Sequence, residues 1–172
     1  MNSVASVKDR LRNKANETGK TMEQLLVSYG LERTIYRISV SSYAEKFEAL
    51  VSLGYDNSRF KDYYDLYILI KSYDFEGSKL QKAVMETFEH RNTDIETEIV
   101  AFKEGFAEDP IRKSRWNSFV KKKRTILPVT LEETIELLKL FMNPVVNSIR
   151  MGLSFQLKWE CKKQEWIHKD AA

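Results

Sequence analysis

The stretch YAEKFEALVSLGYDNSRFKDYYDLY, residues 43–67, contains two helical patterns that meet across the loop 54–58. Each pattern repeats apolar residues at helical spacing, which predicts that one side of each helix faces a core. The first places Ala44, Phe47, Leu50, Val51 and Gly54 inward, and the second places Phe60, Tyr63, Tyr64, Tyr67 and Ile70 inward. Glu45, Lys46 and Glu48 are expected nearer the edges of the first helix. Asn57 or Ser58 is expected to cap the second helix.

Charged residues collect at the start of the second helix. Lys61 and Asp65 are four residues apart, and Arg59 and Asp62 are three apart. These spacings allow ion pairs along one helical surface, which typically stabilise a helix by about 0.2–0.5 kcal/mol each. The spacing alone fits a solvated, charge-paired helix start as well as a functional site.

The overall composition is typical of a globular protein, with 42% hydrophobic and 31% charged residues. A net charge of +3 does not by itself indicate a nucleic-acid partner. The single cysteine, Cys161, favours a reducing compartment, and the sequence has neither an apolar signal region nor a run of transmembrane length. These features predict a cytoplasmic protein with no membrane partner.

Helical patterns over most of the chain predict a mainly α fold, a bundle of about seven or eight short helices with a small β element near the C-terminus. Three segments are expected: an N-terminal helical segment 1–42, a C-terminal helical domain 43–147 and a tail 148–172.

Local signals refine this prediction. Ser39, Ser41 and Ser42 suggest a polar break between the first two segments. Thr130 and Glu133 form a capping box at the start of a strongly amphipathic helix, which Pro144 is expected to kink or end.

The tail alternates apolar and polar residues over 153–161, which predicts a strand. Trp166 is expected to cross Trp159 in a small hairpin, and that hairpin would have to pack on the helices to be stable.

The order of the motifs resembles that of the AbiEii/AbiGii nucleotidyltransferase toxins, which serve in abortive infection as toxins of type IV toxin–antitoxin pairs. AEKFEALVSLG at 44–54 followed by NSRFKDYYDLY at 57–67 is similar to the C-terminal signature of that family. The likeness continues through TFEHRNT at 87–93 and FMNPV at 141–145, and residues 4–43 look like the family's N-terminal helices. Several spaced motifs in one order make the resemblance specific.

The resemblance implies roles for individual residues. Lys46 matches the family lysine expected to contact nucleotide phosphate, with Arg59 and Lys61 as further nucleotide-binding candidates. Asp62 and Asp65 match the acidic pair near the active site and are the catalytic candidates. Full-length relatives would transfer nucleotides from an NTP, with Mg²⁺, to an RNA acceptor such as tRNA, and a cognate antitoxin would be their partner.

The metal-binding part of such an enzyme is not found in the sequence. Two-metal nucleotidyl transfer needs carboxylates that hold divalent cations, and an Asp-x-Asp pair on a strand puts both carboxylates on one face. The sequence contains no Asp-x-Asp, and its one Gly-Ser dipeptide, Gly77-Ser78, comes before a helix. Residues 1–145 also contain no convincing strand pattern for a nucleotide-binding sheet.

Residues 43–47 resemble two places in full-length relatives: the end of the N-terminal helical segment and the start of the downstream Ala-Glu-Lys motif. We therefore expect an internally shortened and inactive member of the family, in which these two places are joined and the nucleotide-binding sheet between them is missing. No metal ligand and no functional Mg²⁺ or NTP are then expected, and Asp62 and Asp65 would pair with Arg59 and Lys61.

Two other interpretations stay open. The chain could be a non-catalytic helical interaction module that binds a cognate antitoxin or an intact toxin. It could also bind tRNA or other RNA through Arg33, Arg37 and the basic run 121–124, although the charge pattern favours a solvated helix face for the two arginines and a solvated loop for the run.

Overall fold

The structure is a computed structural model that describes residues 12–15, 17, 19, 21–123 and 129–168, without the side chains at 24, 26–39 and 123. The chain divides into two compact units, Met1–Ser39 and Val40–Ala172. The candidate catalytic and nucleotide-binding residues, which are Lys46, Arg59, Lys61, Asp62 and Asp65, all lie in the second unit. The expected segment boundaries after residues 42 and 147 stay predictions.

The fold is mainly α with a small antiparallel sheet, as expected. Its helices are α1 (Met22–Leu53), α2 (Phe60–Ser72), α3 (Gly77–His90), α4 (Pro110–Lys123) and α5 (Leu131–Arg150), with 3₁₀ turns at Gly54–Asp56 and Val100–Phe102. The strands are β1 (Phe75–Glu76), β2 (Lys158–Glu160) and β3 (Glu165–Ile167). In the part of the chain that the structure describes, no helix is both long and apolar enough to cross a membrane.

The expected polar break at Ser39–Ser42 is wrong, because α1 continues through these serines. Serine is only mildly unfavourable inside a helix. The buried side chains Val40, Tyr43 and Ala44 supply packing around this part of α1 that outweighs that small cost. The inward positions expected for residues 44–51 are confirmed, and Leu66 of α2 is fully buried as well.

Helix α5 is the central element of the second unit and packs against α2 and α3. The capping box at its start is confirmed, with the Glu133 amide donating to Thr130 Oγ1 over 3.1 Å. Pro144 does not end the helix, which continues to Arg150. A proline at this position leaves the carbonyl of Leu140 without its helical partner. Leu140 is 54% exposed, so the break in the hydrogen-bond ladder falls at the surface of the protein.

The tail forms the expected hairpin, in which Trp159 lies opposite Trp166. Its strand is shorter than the alternation over 153–161 predicts, because the chain before β2 follows α3: the Phe155 amide donates to Gln81 Oε1 over 3.2 Å. Gln164, with φ of 57°, makes the turn. The two-residue strand β1 completes a sheet of order β1-β2-β3 and was not predicted.

The two tryptophans of the hairpin form hydrogen bonds with helices of the second unit. Trp159 Nε1 donates to Ile70 O and Trp166 Nε1 donates to Phe141 O, both over 3.0 Å. Ile70 lies in the last turn of α2, where helical carbonyls lack partners within the helix. The hairpin therefore packs on the helices, as its marginal stability requires.

Candidate functional site

A tight connection between α1 and α2 positions the candidate site. Asn57, which is 1% exposed, lies in this connection, and its side-chain Nδ2 donates to Ala49 O over 3.5 Å. Asn57 Oδ1 also accepts a hydrogen bond from the Arg59 amide over 2.9 Å, one residue before α2 begins. The side chain of Asn57 thus links the last turns of α1 to the start of α2, and so fixes the position of α2 relative to α1.

Two acidic side chains of α2 meet one lysine of α1. Lys46 Nζ lies 3.1 Å from Asp62 Oδ1 and 2.9 Å from Asp65 Oδ2. Lys61 Nζ lies 2.7 Å from the same Asp65 oxygen, so the pair expected from the four-residue spacing is confirmed. We call these four residues, Lys46, Lys61, Asp62 and Asp65, the Lys46 cluster.

The expected pairing of Asp62 with Arg59 is wrong, because Asp62 pairs with Lys46 across the two helices. The side chain of Arg59 is exposed, and the described contacts do not include it in the cluster. Arg59 directly precedes the first residue of α2, and its backbone is held by Asn57. Its proposed role in nucleotide binding therefore receives no support from a contact with the other candidates.

Hydrogen bonds favour the charged forms of Asp65 and Lys46. Burial alone would raise the pKa of Asp65, but hydrogen bonds and charge from Lys61 and Lys46 lower the pKa below its ordinary value. Burial would likewise lower the pKa of Lys46, whereas its bonds to Asp65 and Asp62 leave that pKa raised. The formal charges of the two lysines and the two aspartates cancel.

The donor set of the cluster does not fit Mg²⁺. That ion demands near-octahedral oxygen ligands at about 2.0–2.1 Å. Asp62 and Asp65 come from one turn of a single helix, and the Lys46 ammonium already lies against both carboxylates. A dication here would have to displace Lys46 and tolerate Lys61 beside it. Within the described ranges, no group of three or more His, Cys, Asp or Glu residues is arranged to hold a metal ion.

The Gly-Ser dipeptide has a structural role. The Gly77 amide donates to Leu157 O over 2.8 Å, so this N–H is not available to bind a phosphate. A Cβ at this position would come within 2.5 Å of Phe155 Cδ1 and 2.6 Å of Leu157 O. Glycine is needed here because the tail passes directly over the start of α3.

The carboxylate of Glu48 is buried, contrary to the position predicted for it. Glu48, expected near a helix edge, is 3% exposed. Its two oxygens accept from Arg91 Nη1 over 2.8 Å and from Thr93 Oγ1 over 2.6 Å. The available signal was its register: Glu48 lies four residues after Ala44 and three before Val51, on the apolar face. It ties α1 to the turn that follows α3.

These features define a mainly helical protein in which two consecutive helices carry an internally paired cluster of lysines and aspartates. The family model described as Nucleotidyl transferase AbiEii toxin, Type IV TA system, matches residues 40–136, which is more than half of the chain. The chain belongs to this family, and the resemblance seen in the sequence is confirmed over residues 40–136. The match includes every member of the Lys46 cluster, and the type IV description implies an antitoxin partner. No curated protein and no solved structure matches the chain.

Proposed function

We propose that this chain is an internally shortened member of the nucleotidyltransferase toxin family that does not transfer nucleotides. The observation that carries the proposal is the position of the Lys46 ammonium, which bonds both candidate catalytic carboxylates, Asp62 and Asp65. In this arrangement the two aspartates act as partners of lysines and hold α1 against α2.

The charge balance of the Lys46 cluster supports this proposal. A carboxylate that grips Mg²⁺ beside a triphosphate needs oxygens free to bind the metal. In this protein Asp65 Oδ2 accepts from two ammonium groups, those of Lys46 and Lys61. The sequence also contains no Asp-x-Asp pair to complete a metal site.

The family membership suggests what an intact relative does. We infer that such a relative transfers nucleotides from an NTP to an RNA acceptor with Mg²⁺, in the cytoplasm, as part of phage defence. Its toxicity would be countered by a cognate antitoxin. Lys46, Arg59 and Lys61 are the residues proposed to face the nucleotide phosphates in that setting.

The second candidate function is a non-catalytic module that binds the antitoxin or an intact toxin. It is favoured by the core of the second unit, in which the helices and the small sheet enclose large aromatic side chains such as Trp116, Phe141 and Trp159. A unit with its own core can present a binding surface without performing chemistry.

A labelling experiment tests the first proposal. Purified protein is incubated with labelled NTPs, Mg²⁺ and total tRNA, beside the variants Lys46→Ala and Asp65→Ala. We expect no transfer of label to RNA by any of the three proteins. Label transfer by the wild type that both substitutions abolish would overturn the proposal.

Two further experiments separate the alternatives. Sequencing the source gene across codons 43–47 tests the shortening, and an in-frame segment there that encodes strands and an Asp-x-Asp pair would refute it. Co-purification with the antitoxin encoded at the same locus tests the binding module. We expect a stoichiometric complex, and failure of the two proteins to associate at micromolar concentration would exclude that role.

A further inference from the structure

Helix α4 concentrates positive charge to a degree that the whole chain does not. Its sequence, PIRKSRWNSFVKKK, contains six lysines and arginines and no acidic residue. The whole chain has a net charge of only +3, so the remainder is net negative. The expectation that the basic run begins in a loop is wrong, because Lys121–Lys123 are helical and lie on the same helix as Arg115. The structure does not describe Arg124 or the side chains of Arg33, Arg37 and Lys123.

Two of these cations have structural roles. The Arg112 guanidinium lies over the rings of Phe106 and Tyr55, at 4.2 and 5.3 Å from their centroids, and donates to Tyr55 O over 2.6 Å. Lys113 forms an ion pair with Glu132 at the start of α5. These contacts hold α4 in place.

The inner side of α4 is apolar. Trp116 is fully buried and donates to Val129 O, and its ring packs edge-on against Phe60 at 5.9 Å. Phe119 packs against Tyr64 of α2 at 6.1 Å. These aromatic contacts fix the rotation of α4 and so determine which residues face water.

Arg115, Lys121 and Lys122 remain on the outer side. All three are exposed, and no hydrogen bond or ion pair in the described part of the chain engages them. Arg115 and Lys122 are seven residues apart and therefore lie on one face, separated by about 10.5 Å along the axis. Ser118 lies close to the line that joins them, whereas Asn117 and Lys121 lie further round the exposed side of α4. Both Asn117 and Ser118 are exposed. We call Arg115, Asn117, Ser118, Lys121 and Lys122 the α4 basic face.

We propose that the α4 basic face docks the sugar–phosphate backbone of a nucleic acid without reading its sequence. Successive phosphates of one strand advance by about 3.4 Å along a duplex axis, so the span from Arg115 to Lys122 covers about three nucleotide steps. Lysine and arginine contacts to phosphate position a protein on nucleic acid and carry no sequence information. The proposal does not depend on whether the chain transfers nucleotides.

A nucleic acid fits this face better than an acidic protein does. Protein interfaces centre on an apolar, often aromatic patch and are depleted in lysine. The outer side of α4 instead presents cations, Asn117 and Ser118, with Ile111 as its exposed apolar residue. Nucleic-acid interfaces are polar and strongly positive, which is the composition seen here.

Fluorescence titration of the full chain tests this inference. The probes are a labelled single-stranded RNA and a DNA duplex, with polyglutamate as the acidic-protein mimic. The test variant is Arg115→Gln/Lys121→Gln/Lys122→Gln. The control variant is Lys82→Gln/Lys162→Gln/Lys163→Gln, which removes the same charge from exposed lysines elsewhere in the second unit. Far-ultraviolet circular dichroism melts confirm that both variants fold.

Salt dependence gives the readout. Each lost phosphate contact reduces the slope of log K against log salt by about 0.7 on single strands and about 0.9 on B-DNA. For RNA, the slope of the test variant should therefore be shallower than that of the wild type by about 2. Raising the salt from about 50 to about 200 mM should then weaken RNA binding by the test variant roughly 20-fold less than it weakens binding by the wild type. The control variant should keep the wild-type slope. An unchanged slope in the test variant, an equal loss in the control, or equally tight binding of polyglutamate would overturn the proposal.

Discussion

The buried pair of Glu48 and Arg91 allows a prediction with a definite order of effects. The Glu48 side chain is 4% exposed, whereas that of Arg91 is 42% exposed. Replacing Arg91 by Met leaves the buried carboxylate with Thr93 as its remaining donor among the described contacts. Replacing Glu48 by Met removes the buried charge and leaves Arg91 in contact with water. We therefore expect Arg91→Met to be the more harmful change, although both substitutions break the same bond.

The structure sets the size of each effect. Hydrogen bonds to charged groups contribute about 1.5–3 kcal/mol, and breaking a fully buried ion pair costs about 3–5 kcal/mol. Arg91 is partly exposed, so water replaces some of what Glu48 loses and the lower range applies. We expect Arg91→Met to lower the free energy of unfolding by about 2 kcal/mol, and Glu48→Met to lower it by less than about 1 kcal/mol.

Urea denaturation at pH 7 measures both changes, with the double variant Glu48→Met/Arg91→Met as the control. Once the carboxylate is gone, loss of Arg91 should add little, so the double variant should resemble Glu48→Met. The comparison requires an unchanged m-value. The reasoning fails if Glu48→Met costs as much as Arg91→Met, or if the two single effects add.

Other substitutions probe the rest of the second unit. Lys46→Met should lower the free energy of unfolding by about 1–2 kcal/mol, because it removes two partly exposed ion pairs of about 0.5–1 kcal/mol each. Urea denaturation measures this change, and an unchanged stability would contradict the view that the Lys46 cluster holds α1 against α2. Tyr43→Phe should leave stability unchanged or raise it by up to about 1 kcal/mol, since its hydroxyl is buried with no hydrogen-bond partner in the described structure; a lower melting temperature would contradict this. Gly77→Ala should lower the free energy of unfolding by about 1–3 kcal/mol in the same assay, because the new methyl group would meet the Phe155 ring and Leu157 O. Ser78→Ala is the control substitution at the neighbouring position. Since the pKa of Asp65 is lower in the folded protein than in the unfolded chain, its contribution is complete above about pH 4 and is lost as the pH falls further; Asp65→Asn should flatten that acid limb of the melting temperature, and an unchanged limb would refute the assignment.

The helices and the hairpin could be predicted because their signals are local. Apolar spacing gave the buried face of α1, and the tail gave the pairing of Trp159 with Trp166. The continuous path of α1 through Ser39–Ser42 could not be predicted in this way, because packing by residues such as Val40 and Tyr43 decided it.

The candidate site was predictable only within one helix. The pairing of Lys61 with Asp65 follows from their spacing on α2. The arrival of Lys46 at Asp62, sixteen residues away, depends on how Asn57 sets the connection between two helices. Family resemblance brought Lys46 into consideration, but spacing carried no information about its partner.

The two indoles of the hairpin have a consequence for synthesis on the ribosome. Tyr43, Phe75 and Phe141 pack against one another, and Trp159 and Trp166 close over Phe141. The residues of this aromatic cluster lie far apart in the sequence, and the two tryptophans follow α5, the last helix that the structure describes. Until they are translated, the aromatic rings of Tyr43, Phe75 and Phe141 lack part of their packing, so the second unit cannot complete its core before codon 166 has been read.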